Sequence, residues 1–304
     1  MIGTSLLTYG MFNLIPADAC VLSLGFASTP EALEDCRNLH GLNDPWYQQY
    51  FNWLKNIPQG DFGTSITESE LTVRSELEHR LPVTIQLMVV TLVMALLLGV
   101  PAGVFSAIRP GTPLDWLARF TSVLWLSIPS FYLGIVLITF GALWFQWTPP
   151  QFGTGSAVLL YEDPWVSIKT YFFPSLVLSV GISAVIMRLT RSSMLEVLRN
   201  DYIRTAWSKG LRERAVVWRH ALKNALIPVV TLIGLQIGAL LGGAVIIESL
   251  YNLNGVGKYT LEAIIRRDIF VVQSLTLFFA VTHVLANLTV DVAYAWLDPR
   301  IHYT

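Results

Sequence analysis

Five stretches of this chain are long, apolar and nearly free of charge, at residues 81–108, 116–145, 172–189, 225–250 and 269–297. A helix rises about 1.5 Å per residue, so about 20 residues cross a hydrocarbon core of about 30 Å. Within lipid, every backbone N–H and C=O must be satisfied inside the segment, which runs of this length achieve as helices. Composition agrees: charged residues are 13% of the 304 and hydrophobic ones 53%, against about 25% charged in soluble domains. A sixth run, 1–15, is apolar but would be only about 22 Å long as a helix. It has neither basic residues nor a small-residue cleavage site, so it does not read as a signal peptide. We read it as the outer part of a first helix whose start is missing. The expectation is an all-α, polytopic membrane protein, one membrane domain over 1–304 with six transmembrane helices, the first truncated at its start.

The net charge of −1 conceals a sorted pattern. Nine of the twenty Lys and Arg residues lie in the 36 residues from 188 to 223, beside three acidic ones. Excess Lys and Arg in a short loop marks the cytoplasmic side, and six spans then place both termini there. Arg109 and Arg300 fit, as does 146–171, where Lys169 faces Glu162 and Asp163. The stretch 251–268 fits less well, with Lys258, Arg266 and Arg267 on the expected outer side.

The segment 16–80 is then an exported cap between the first two spans, with ten acidic and four basic residues and turn signals at Asn43-Asp44-Pro45 and Gly60-Asp61. Trp46, Tyr47, Tyr50, Phe51 and Trp53 are spaced like one helix face and read as the cap's own core. Cys20 and Cys36, the chain's two cysteines, both fall here, where oxidising conditions favour a disulfide over two free thiols.

No catalytic constellation emerges. Gly255-Val256-Gly257-Lys258-Tyr259 departs from a phosphate loop at both ends, with Asn252 for the first glycine and Tyr259 for Ser or Thr. The histidines and cysteines have no ligand spacing, and His283 with Asp291 lacks a nucleophile motif. Asp291 lies within the inner part of the last span and needs a partner. Arg188 and Arg191 are the candidates, as a structural strut rather than a proton relay. Gly234, Gly238 and Gly242 recur every four residues and favour close helix packing. A polar pathway near Gln236 and Thr231 is the alternative. Pro101, Pro129, Pro174 and Pro228 punctuate four spans.

The basic loop carries helical spacing, a break at Gly210-Leu211 and a second helical run to His220. Its bland reading is a positive-inside anchor, which needs charge but no order of residues. The order is nonetheless specific: Arg188 to Glu196 reads RLTRSSMLE, then Asp201-Tyr202-Ile203-Arg204-Thr205-Ala206, Lys209-Gly210-Leu211, His220-Ala221-Leu222-Lys223-Asn224-Ala225 and Pro228. With Ile15-Pro16-Ala17-Asp18, Asp61-Phe62-Gly63-Thr64-Ser65 and Gly99-Val100-Pro101-Ala102-Gly103, these stretches resemble the inner-membrane permease subunits of peptide-type ABC importers, the dipeptide, oligopeptide, glutathione and nickel family.

The resemblance implies a type I ABC importer permease fold. It makes Asp201, Tyr202, Arg204, Thr205, Ala206, Lys209 and Gly210 an ATPase-coupling helix, with Ala206 small enough to enter an ATPase groove. It also implies two ATPase subunits that bind ATP and Mg, a second, distinct permease chain, and an extracytoplasmic substrate-binding protein. The chain itself would hydrolyse nothing, and di- or oligopeptides are the first expectation for cargo. Trp207 stands where the family pattern has a basic residue, and His220-Ala221-Leu222-Lys223 replaces the usual Ile-x-Leu-Pro. The rival is an ion-coupled secondary transporter using Asp291 and Glu248, though no internal repeat supports it. An ion channel would need a filter-like loop that is not found.

Overall fold

A computed structural model of the chain describes residues 2–14, 19–25, 28–67, 71–154 and 157–297, with side chains throughout those ranges except at 2, 12, 13, 19, 22, 153, 154 and 290–297. The described residues are helical apart from loops and one isolated bridge between Thr64 and Thr72. In chain order the helices are α1 (Ile2–Leu14), α2 (Ala19–Leu24), α3 (Pro30–Leu39), α4 (Trp46–Asn56), α5 (Val73–Ile108), α6 (Pro113–Ser127), α7 (Ser130–Phe145), α8 (Gln151–Thr154) and α9 (Pro164–Val197). They continue as α10 (Asp201–Ser208), α11 (Glu213–Ala215), a π-helical turn (Val216–Ala221), α12 (Leu222–Ala225), α13 (Ile227–Leu250), α14 (Val256–Ile265) and α15 (Ile269–Leu297).

Among the described residues, four helices are long and apolar enough to cross a membrane, α5, α9, α13 and α15, with a fifth span if α6 and α7 are taken together, against the six expected. The expected single helix over 116–145 is instead this pair, bent by 96°. Pro129 is the cause. It offers no N–H to the preceding turn, and the residue before it, Ile128, is driven to extended backbone at φ −94°, ψ 120°. Pro174 lies inside α9 without ending it. Helices α5 and α9 begin earlier than their apolar runs because polar turns extend them. Arg74–Glu78 and Arg80–Glu76 pair at 2.8 and 2.7 Å in the first turns of α5. The Asp163 carboxylate accepts from the Trp165 and Val166 amides and caps α9, with Pro164 in its first turn.

The chain groups into two compact units, Met1–Thr84 with Leu253–Val284, and Ile85–Asn252 with Leu285–Thr304. In the first, α4 buries Tyr50 and Trp53 while Trp46, Tyr47 and Phe51 remain exposed, so two of the five stripe residues are core. Tyr9 donates to Gln49 Oε1 at 2.6 Å, and Trp53 Nε1 donates to Ser274 Oγ at 3.2 Å. Cys20 and Cys36 are bridged, with Cα atoms 6.0 Å apart. The buried Asp268 carboxylate collects the Ser65 hydroxyl at 2.6 Å and the Ile66 and Thr67 amides at 3.0 and 3.3 Å, fastening the loop before α5 to the start of α15. The lysine of the phosphate-loop-like string bonds Asn254 Oδ1 at 3.0 Å and pairs with Glu262 at 3.6 Å, which accounts for one basic residue of that stretch.

In the second unit α9 is central, packing against α6, α7 and α13. Two glycines permit the approach of α5 to α9. A Cβ added at Gly99 would stand 2.6 Å from the Ser183 carbonyl oxygen, and one at Gly103 would stand 2.7 Å from that of Met187. They are four residues apart and present bare backbone to α9.

Candidate functional site

The short helix α10 is amphipathic by arrangement. Ile203 and Ala206 turn inward to a core built by Val104 and Ala107 of α5, Met194 of α9, and Val217 and Ala221 of the π-helical turn. Asp201, Tyr202, Arg204, Thr205, Trp207, Ser208 and Lys209 are exposed. Ala206 is therefore packed against its own chain's core. The outward aromatic residues are Tyr202 and Trp207, 43% and 46% exposed. Tyr202 is oriented by Asn224, whose amide donates to its hydroxyl at 2.7 Å.

The helix ends where the sequence places its break. Gly210 has φ +74°, its amide bonds the Trp207 carbonyl at 2.9 Å, and the Leu211 amide reaches the Ala206 carbonyl at 3.4 Å. This pair of bonds is the Schellman arrangement, and its left-handed position favours glycine. Past it, Arg212 opens α11 and the π-helical turn leads back to α13.

Arg191, near the end of α9, meets a carboxylate the sequence did not single out. Its Nε and Nη2 donate to Asp115 at 3.0 and 3.3 Å. Asp115 is 1% exposed, accepts from the Gly111 amide at 2.9 Å, and takes a short bond from the Ser106 hydroxyl. Arg119 Nε stands 3.3 Å away without hydrogen-bond alignment, its guanidinium instead lying over the Trp116 ring. Arg188 is exposed, and the Asp291 side chain lies outside the described residues, so the pairing expected from sequence is not among the contacts described. The available signal for Asp115 was its place three residues after Thr112, which caps α6 by accepting from the Asp115 amide. Counting the apolar run from 116 left it one residue outside.

Of the glycines assigned to packing, Gly234 is buried, Gly238 is half-buried, and Gly242 is exposed with open space where a Cβ would go. Glu248 is buried in α13.

Long apolar helices, a bent span and a short amphipathic helix with a polar, aromatic outer face define a multi-pass membrane protein. Family comparison identifies it. Residues 99–303 match the binding-protein-dependent transport system inner membrane component, residues 1–88 match the N-terminal part of such membrane components, and the chain belongs to this family. It is an ABC importer permease, a transport subunit of the inner membrane. It is 38% identical over 320 residues to the dipeptide transport system permease protein DppB of Alkalihalophilus pseudofirmus, covering 100% of this chain and 96% of that one. The oligopeptide transport system permease protein AppB of Bacillus subtilis is 38% identical over 305 residues, covering 100% and 95%. The glutathione transport system permease protein GsiC of Escherichia coli K12 is 36% identical over 299 residues, covering 98% and 94%. Among solved structures, the inward-facing MetNI methionine ABC transporter matches with a TM-score of 0.57 at 17% identity, over 73% of this chain and 96% of that one, which shows the fold. The ion-coupled alternative is not favoured by these relationships.

Proposed function

We propose that this chain is the transmembrane permease of an ATP-driven importer of di- or oligopeptides. It would work with a second, distinct permease, two ATPase subunits that bind ATP and Mg, and an exported binding protein. The names of its relatives support the cargo. The single observation that carries the mechanism is α10, exposed on its Tyr202, Arg204, Thr205 and Trp207 side and anchored on the other by Ile203 and Ala206 to α5 and α9. A helix held this way lies in a groove of a cytosolic ATPase as an amphipathic insert, and movement of the ATPase passes to the bundle through the shared core. Both termini and the loop 188–223 are cytoplasmic in this reading, and 16–80 is exported.

Proteoliposomes holding the complete transporter decide the class. Uptake of a labelled tripeptide should require ATP and binding protein and should survive collapse of ion gradients. Uptake that follows an ion gradient instead overturns the reading. For orientation, a cysteine at Asn56 should react with an impermeant maleimide in intact cells, and one at Ser208 should not.

A further inference from the structure

The bend between α6 and α7 occurs deep within the span. Ile128 and Ser130 line a cavity of about 300 Å³ together with Trp125, Gly181 of α9, and Gln236 and Gly243 of α13. Gly181 falls at the middle of α9, Pro164–Val197, and Gln236 near the middle of α13, Ile227–Leu250. Two spanning helices thus meet the break near their midpoints, within their apolar stretches.

Irregular backbone at that depth is tolerated only where protein buries it or where it borders water. Ser127 and Pro129 are exposed. The carbonyl of Trp125 would bond the amide of residue 129 in a continuous helix, and Pro129 has none. Lipid cannot satisfy that oxygen. Ser130 and Gln236 also line the cavity, among mostly apolar neighbours such as Val177 and Leu240, and no charged residue lines it. Gly181 leaves open space where a side chain would otherwise stand.

Resting on the importer reading, we propose that the cavity at the break is a water-filled substrate station on the translocation path, which binds the main-chain amides of a peptide in passing. Carbonyls freed by the break accept peptide N–H groups, and Gln236 and Ser130 offer both donors and acceptors. With no lining charge, the station reads the backbone common to all peptides and ignores their side chains. Movement of α10 changes its exposure through α9, which carries Gly181 and leads directly to the coupling helix.

Single cysteines test this in the complete transporter, with Cys20 and Cys36 left bridged and labelling read on this chain alone. Ser130→Cys and Gln236→Cys should react with a small cationic methanethiosulfonate, and their rates should differ between resting and ATP–vanadate-trapped transporter. Leu235→Cys, on the exposed apolar face of α13, should stay unlabelled. Gly181→Leu should fill the cavity, abolishing uptake while the permease still inserts and retains its ATPases. If Ser130→Cys and Gln236→Cys are as unreactive as Leu235→Cys in both states, or crosslink to the partner permease instead, the break is dry packing and the proposal fails. Wild-type uptake of a labelled tripeptide is measured separately. Its absence overturns the peptide cargo, while labelling still decides whether the cavity holds water.

Discussion

Arg191 on α9 closes on Asp115 of α6 through two donors at 3.0 and 3.3 Å, and the same carboxylate takes the Ser106 hydroxyl of α5. One buried acid thus joins three helices, with Arg191 ten residues before α10 begins at Asp201. Burying such a pair gains little over apolar packing, but removing one partner leaves the other uncompensated, at about 3–5 kcal/mol. Asp115→Asn and Arg191→Gln should each lower the thermal unfolding midpoint of detergent-purified permease substantially, whereas Arg188→Gln, at an exposed position, should not. Equal loss from Arg188→Gln would disprove this assignment.

The glycines of α5 make a second prediction. At Gly99 and Gly103 a methyl group would meet backbone oxygen, which cannot rotate away, so Gly103→Ala or Gly99→Ala must push α5 off α9. Overpacking typically costs about 1–3 kcal/mol, and more against rigid neighbours. Membrane-inserted yield should fall for both. Gly242→Ala enters open space and should leave the stability of the isolated permease unchanged.

These two cases show what was legible in the sequence. Apolar run lengths disclosed the long helices α5, α9, α13 and α15, and the order of residues around Asp201 and Gly210 disclosed a short helix with its glycine end, because both are local signals. Which face of a helix meets which neighbour is not local. The repeat at Gly234, Gly238 and Gly242 resembles a packing face more than Gly99 and Gly103 do, yet Gly242 faces open space while backbone oxygens crowd Gly99 and Gly103. Ala206 likewise was legible as small, but its inward direction depends on Val104 and Met194, about 100 and 12 residues away in sequence. The break at Pro129 was visible as a proline and not as a 96° turn, since prolines such as Pro174 sit in membrane helices without ending them.

The Cys20–Cys36 bridge spans a sequence separation of 16. On the chain-entropy model, closing a loop of about 15 residues stabilises the cap by about 3 kcal/mol. Mass spectrometry of non-reduced digests should recover the linked peptides. Cys36→Ser should raise the protease sensitivity of the cap, an effect dithiothreitol reproduces in the wild type.

His40, at the end of α3, has its pKa lowered by burial, with the Asp268 charge opposing. The folded cap thus prefers the neutral imidazole, and near the ordinary value of 6.5 the unfolded chain binds more protons. Its contribution is fully present above that value and is lost as pH falls below it. Protection factors of the α3 and α4 amides, which correct for the intrinsic slowing of exchange at lower pH, should fall between pH 7.5 and 5.5, and His40→Gln should flatten that dependence, which a cap indifferent to His40 would not show.

The coupling helix allows its two faces to be separated by mutation. Ala206→Arg would place a charge in the core made with Val104, Met194 and Val217, so it should impair folding of the loop itself and reduce the yield of intact permease. Trp207→Ala and Tyr202→Ala remove exposed aromatic surface and should leave yield and thermal stability near wild type. They should nonetheless weaken co-purification of the ATPase subunits and uncouple ATP hydrolysis from loaded binding protein, since aromatic anchors dominate such interfaces. Gly210→Pro combines both effects. Proline fixes φ near −65° where the chain needs +74°, and it deletes the amide that bonds the Trp207 carbonyl, so α10 should keep its anchor but lose its end. Glu213→Lys, beyond the break and exposed, is the control and should be mild. Pull-down of the ATPases with each variant distinguishes the faces: normal recovery and normal uptake for Trp207→Ala and Tyr202→Ala together would mean that the outward face of α10 is not where the ATPase docks.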